Sequence, residues 1–108
     1  MASTQKTVDY LLEQMAGAGQ VSARKMFGEY GVYCGEKMAA LICDNQLFVK
    51  PTPAGRELLQ ECVEAPPYPG AKLCYLISGE LWEDAQWLSR LIRVTAAQLP
   101  LPAAKKKR

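Results

Sequence analysis

The sequence predicts an α+β domain, an antiparallel β-meander sheet of about five strands packed with an N-terminal helix and two further helices. Three observations carry that expectation. Val8, Leu11, Leu12 and Met15 stand at i, i+3, i+4 and i+7 near the start of the chain, the spacing of one buried helical face. Between residues 21 and 50, apolar runs are broken by the two-residue turn signals Gly35-Glu36 and Asp44-Asn45, and loops that short make neighbouring strands antiparallel. Near the C-terminus, Leu88, Leu91, Ile92 and Thr95 return to helical spacing before Pro100-Leu101-Pro102. With 108 residues the chain holds one domain, expected over residues 1–99, and 100–108 read as a flexible Pro/Lys-rich basic tail.

Each element has a local reason. Thr4 or Thr7 caps the first helix, and Gly17-Ala18-Gly19 stops it. The strands are expected at Val21–Met26, Tyr30–Cys34, Lys37–Cys43 and Gln46–Lys50. The two turns then place Cys34 opposite Lys37, Tyr33 opposite Met38, Val32 opposite Ala39, Ile42 opposite Leu47 and Ala40 opposite Val49. In that register one sheet face carries Tyr33, Met38, Ala40, Ile42, Leu47 and Val49, and the other Tyr30, Val32, Ala39, Leu41 and Phe48. Both are apolar at their centre, where a sheet with one solvated face alternates more cleanly. Thr52-Pro53 opens a second helix, with proline at a position where no donor is needed, and Leu58, Leu59, Cys62 and Val63 form its expected buried stripe. The proline-rich stretch 65–70 supports neither helix nor central strand. A short β run follows at Leu73–Ser78, and a third helix is expected over Leu81–Leu99, with Leu81 and Ala85 joining the later apolar residues on its buried face.

Composition narrows the function classes. At 49% hydrophobic and 22% charged residues, the chain is of ordinary globular type. No apolar run approaches the ~18 residues of a membrane span, and no apolar stretch follows the charge at the N-terminus, so a cytoplasmic location is expected. Histidine is absent, which removes the commonest metal ligand and general base. Cys34, Cys43, Cys62 and Cys74 lack the C-x-x-C spacing of a structural zinc site and sit in apolar patterns, so they are expected as reduced core thiols. In the register above, Cys34 and Cys43 share a face but stand roughly 20 Å apart along the strand, too far for one metal. No metal and no cofactor are therefore expected. The net charge of +2 hides an asymmetry: without Lys105, Lys106, Lys107 and Arg108 the body has nine basic against eleven acidic residues. A basic tail on a mildly acidic body makes these four, with Arg24 and Lys25, the candidates for a weak, non-specific phosphate contact.

The most distinctive stretch is Arg24-Lys25-Met26-Phe27-Gly28-Glu29-Tyr30-Gly31-Val32-Tyr33. Read physically, Met26 and Phe27 are core anchors, and Gly28 and Gly31 permit a sharp bend between strands. The stretch resembles the R-x-M-F-G-x-x-G block of the TfoX N-terminal domain family, shared by the TfoX and Sxy competence regulators, with Arg24, Met26, Phe27, Gly28 and Gly31 on the motif. The continuation is similar too, in Gly35-x-Lys37-Met38 and Asp44-x-x-Leu47-Phe48-Val49-Lys50. The resemblance spans roughly residues 5–98 and implies a compact α+β fold similar to the secretion-chaperone-like class, whose members are often homodimers. The competence regulators carry a second, C-terminal helical domain, so this chain reads as a stand-alone N-terminal domain.

Three functions follow as expectations. The resemblance implies a non-enzymatic binding module of competence-type transcription regulation, whose partner is a protein, for instance a transcription activator, rather than a DNA sequence. No helix-turn-helix or zinc module is visible. An enzyme needs a nucleophile with a base and an orienting group, but here the thiols sit in apolar patterns, histidine is absent and no Gly-rich phosphate loop appears. Glu80, Glu83 and Asp84 read as carboxylates favoured at a helix start. The third expectation is a homodimeric, chaperone-like scaffold without a DNA role. Leu41 and Phe48 on the sheet and Trp87 on the last helix are the candidate partner or self-interface residues.

Overall fold

A computed structural model describes residues 3–26 and 28–100. Its elements are α1 (Gln5–Gln14), β1 (Val21–Met26), β2 (Glu29–Cys34), β3 (Lys37–Cys43), β4 (Gln46–Val49), α2 (Pro53–Glu57), β5 (Glu64–Ala65), β6 (Cys74–Ile77) and α3 (Ala85–Gln98), with 3-10 turns at Ala16–Ala18 and Gly79–Glu83. Six strands form one antiparallel sheet in the order β1-β2-β3-β4-β6-β5. The sheet is therefore one strand larger than the sequence predicts.

Local chemistry sets most boundaries. The Thr4 hydroxyl accepts the Thr7 N–H at 3.2 Å and caps α1, and Thr52 caps α2 through the Gly55 N–H at 3.0 Å. Asp44 and Asn45 take φ of 54° and 57°, the pair of left-handed residues that closes a two-residue hairpin with the twist strands prefer. Gly28 has φ of +80° in the β1–β2 turn, a conformation costly for side-chain-bearing residues.

Two helices differ from expectation. α2 stops at Glu57, because the following chain is drawn to the sheet edge: the Leu76 N–H donates to Val63 O at 2.8 Å, and Glu64 and Ala65 pair with Tyr75 and Cys74. Leu58 and Leu59 still pack on the core, but Cys62 is exposed and Val63 is 49% exposed. The last helix does not begin at Leu81. Asp84 leaves the helical conformation and caps α3 by accepting the Trp87 N–H at 3.1 Å, so Leu81, in the preceding 3-10 turn, is 41% exposed and Ala85 is exposed too.

The register holds at both turns and shifts between them. Tyr33 faces Met38 and Ile42 faces Leu47, but Val32 faces Ala40 instead of Ala39, because a β-bulge intervenes. One extra residue reverses side-chain parity. Tyr30 and Val32 therefore join Ala40, Ile42, Leu47 and Val49 on the face that packs against Val8, Leu11, Met15, Leu88, Leu91 and Ile92. Leu41, Cys43, Phe48 and Cys74 form a separate cluster on the other face, with Ala65 and Leu76 against it. Cys34 packs with the helical side and its thiol contacts Ala18 O. The bulge thus puts Cys34 and Cys43 on opposite faces, where the sequence register placed them on one.

Polar contacts tie the layers together. The Glu29 carboxylate accepts the Ser3 N–H and the Asp44 N–H, each at 2.9 Å. The Ser3 hydroxyl accepts the Asn45 N–H, and the Asn45 side chain accepts the Thr4 N–H, both at 2.9 Å. This clamp fastens the start of α1 to the β3–β4 turn. At the far end, Lys37 Nζ donates to Ala96 O at 3.0 Å, a cation at a helix C-terminus. Between them, Gln14 donates to Trp82 O and the Ser89 hydroxyl to Gln14 O.

Two predictions follow. Burial alone pushes the Glu29 carboxyl up, but the hydrogen bonds from Asp44 and Ser3 outweigh it and hold the carboxyl below its usual value of 4.5. The clamp therefore stabilises above that pH and weakens as pH falls through the lowered value. Glu29→Gln is expected to lower Tm at pH 7, with the gap to wild type closing as pH falls below 4.5 and through the lowered value; a gap independent of pH contradicts the clamp. Burial, then the charges of Glu29, Cys74 and Asp44, push the Cys43 thiol up to about 11, and burial raises Cys74, partly offset by Lys50. At pH 8 a thiol reagent is expected to label Cys62 promptly and Cys43 and Cys74 only on unfolding. Prompt labelling of either buried thiol in native protein contradicts this packing.

Candidate functional site

The sheet face away from α1 and α3 carries the unusual chemistry. Arg24 is exposed on β1, and its guanidinium lies 4.6 Å from the centroid of the Tyr33 ring on β2, within the range of a cation–π contact. Gly31, two residues before Tyr33 and on the same face, leaves a depression that two sulfurs fill. A Cβ there would lie 2.8 Å from both Met26 Sδ and Met38 Sδ, and 3.4 Å from a Tyr33 ring carbon. Gly31 is thus not part of a bend, as its sequence context implies. It sits inside β2, where the absence of a side chain admits both thioethers.

Met26 likewise differs from expectation. It is half-buried over Gly31 on the outer face rather than anchored in the core, because β1 pairs with β2 in continuous register and Arg24 faces Gly31. Met26, Tyr33 and Met38 form a half-buried sulfur and aromatic patch, with Arg24 at its rim. Thioethers are polarisable and flexible and favour contact with aromatic rings. Such a surface adapts to an apolar partner.

The other candidates fall in different places. Leu41 and Phe48 lie beside this patch but are 6% and 4% exposed, so the chain itself buries them. Trp87 is half-buried, and its indole N–H donates to Leu58 O at 3.2 Å, fastening the end of α2 to α3. Lys25 is exposed on β1, paired with Tyr30. Phe27 and the tail cations Lys105, Lys106, Lys107 and Arg108 lie outside the described residues. Glu80, Glu83 and Asp84 do not converge on one function: Glu80 is in the first turn of the 3-10 segment and Asp84 caps α3.

A groove of about 630 Å³ runs between the end of α1 and α3, lined by Glu13, Gln14, Asp84, Trp87, Arg90 and Arg93, among others. It is open and mixed in charge, and the Arg93 guanidinium there reaches Gly17 O at 3.5 Å. Among the described residues no three His, Cys, Asp or Glu side chains gather as a metal site. No described helix is long and apolar enough to cross a membrane.

Sequence reasoning missed Met38 as a surface residue and missed the Glu29 clamp. Met38 is visible as an outer-face residue only once the bulge is known. Ser3, Glu29 and Asn45 are polar residues in or next to turns, a weak signal without the distances between them.

Comparison with known proteins accords with this fold. The model of the TfoX N-terminal domain matches residues 13–99. The chain is also 39% identical over 106 residues to an uncharacterized 12.7 kDa protein in the trpE 5' region of Spirochaeta aurantia, covering 98% of this chain and 91% of that protein. The β1–β2 hairpin with its Arg24–Tyr33 contact and the rest of the sheet lie inside the matched region, as does α3. The chain belongs to the TfoX N-terminal domain family.

Proposed function

We propose that this protein is a non-catalytic binding module of transcription regulation that acts through protein association, with the outer sheet face around Arg24, Tyr33, Met26 and Met38 as its contact surface. The observation that carries the reading is the convergence of two thioethers and an aromatic ring over Gly31, rimmed by a guanidinium. Aromatic residues, methionine and arginine are the types enriched where proteins meet. Family membership supports the regulatory class, since the TfoX and Sxy competence regulators share this domain. The mildly acidic body and the lack of a groove-reading module among the described residues argue for a protein partner over direct reading of bases. The basic tail adds only a salt-sensitive, sequence-independent phosphate contact.

The test is genetic and biochemical together. Deletion of the gene in its host is expected to change a defined set of transcripts. Arg24→Glu and Met38→Glu, folded by circular dichroism and present at normal levels, are expected to reproduce that change. A chain ending at residue 104 is expected to lose weak retention on duplex DNA at low salt. Transcripts indifferent to the deletion, or surface variants that behave as wild type, would contradict the reading.

A further inference from the structure

We propose that two copies of this chain join edge to edge through β1, antiparallel and centred on Ala23, to make one continuous sheet. This goes beyond the outer-face reading and uses the edge of the sheet instead of its face; Arg24 borders both, and the variants below leave it unchanged, so the two are tested separately.

The two edges of the sheet are unlike. At one, β5 is two residues long and runs straight into Pro66-Pro67, so it has almost no ladder to offer. At the other, β1 is six residues long, contains no proline, and pairs with β2 in unbroken register from Val21 to Met26. Among the described residues no strand pairs with its outer side. An edge strand of this length without proline offers a row of backbone groups to another strand.

Hydrogen-bond parity states which groups it presents. The Gly35 N–H donates to Gln20 O at 2.8 Å, next to the Val21–Cys34 pair. Antiparallel pairs alternate between bonded and non-bonded. Ser22, Arg24 and Met26 therefore direct their backbone groups to β2, while Val21, Ala23 and Lys25 direct theirs outward.

That parity limits a self-pair to a two-fold centred on a residue, and a second copy of β1 presents the matching groups. Centring the two-fold on Ala23 sets Val21 against Lys25 of the second copy, Ala23 against Ala23, and Lys25 against Val21. Every outward-facing residue then meets another, giving about six interchain hydrogen bonds. Ser22 falls opposite Arg24, so no like charges face each other directly, as they would if the dyad lay one residue later and set Arg24 against itself. Cations on an edge normally discourage pairing; here Arg24 is held against its own Tyr33 ring, and across the dyad it meets Ser22 of the second copy and not another cation.

The experiment is sedimentation equilibrium of the full chain from about 1 μM to about 1 mM, a range that captures associations of modest area. Ser22→Glu, Ser22→Arg and Ala23→Pro are run beside wild type, each with circular dichroism to confirm folding. The Ser22 side chain is exposed, so its replacement keeps the backbone bonds to β2, and the Ala23 N–H points away from β2, so proline there removes no bond of the monomer's ladder. Wild type is expected to dimerise. Ser22→Glu, which sets a carboxylate against Arg24 twice per dimer, should tighten association about tenfold. Ser22→Arg should weaken it by a similar factor, and Ala23→Pro should leave a folded monomer. A wild-type chain that stays monomeric to about 1 mM, or any other order of affinities among these folded variants, overturns the proposal.

Discussion

Ala39 has no partner on β2: Met38 faces Tyr33 and Ala40 faces Val32, and Ala39 is the residue between them. That single unpaired position decides which side chains the helices cover. Without it, Gly31 would turn toward the helices and leave a hole there, while Tyr30 and Val32 would turn outward. Burying a side chain the size of valine is worth roughly 1.5–3 kcal/mol, so the reversal of Tyr30 and Val32 outweighs the small cost of one unpaired alanine. The same reversal sends Gly31 outward, beneath Met26 and Met38, and builds the patch beside Arg24 and Tyr33. Core and outer-face patch are two consequences of one extra residue.

A few well-placed polar contacts then fix the helices to the sheet. Glu29 and Asn45 hold the start of α1, Lys37 holds the end of α3, and Ser89 and Gln14 join the two helices. Each contact uses a group that a helix end or turn leaves unpaired. Their effect is positional: they keep both helices on one face and leave β1 as an edge. Fold, outer face and edge are linked through that placement.

Much of this was legible in the residues, and the failures share a cause. The bounds of β1 and β3 and both hairpin turns follow from local chemistry, since Asp44-Asn45 and Gly35 tolerate the positive φ the turns need. The family resemblance likewise rests on contiguous residues, Arg24 to Gly31. The bulge was hidden because Ala39, Ala40 and Leu41 are all apolar, so either parity satisfies a hydrophobic pattern. β5 was hidden because two residues carry no period. Cys62 and Val63 fit a helical stripe until the edge of β6 competes for the chain. In the site, Arg24 and Tyr33 were legible as unusual residues, but not their contact, and Met38 and the Glu29 clamp depend on partners distant in sequence.

The direct measurement is the cross-strand nuclear Overhauser effect between α-protons of β2 and β3. With the bulge, Gly31 faces Leu41 as a non-hydrogen-bonded pair, whose Cα atoms approach to about 4.5 Å. A strong Gly31–Leu41 α-proton contact is the predicted result. A Gly31–Ala40 contact in its place would mean an unbroken register, with Gly31 toward the helices, and would contradict both the core and the outer face described here.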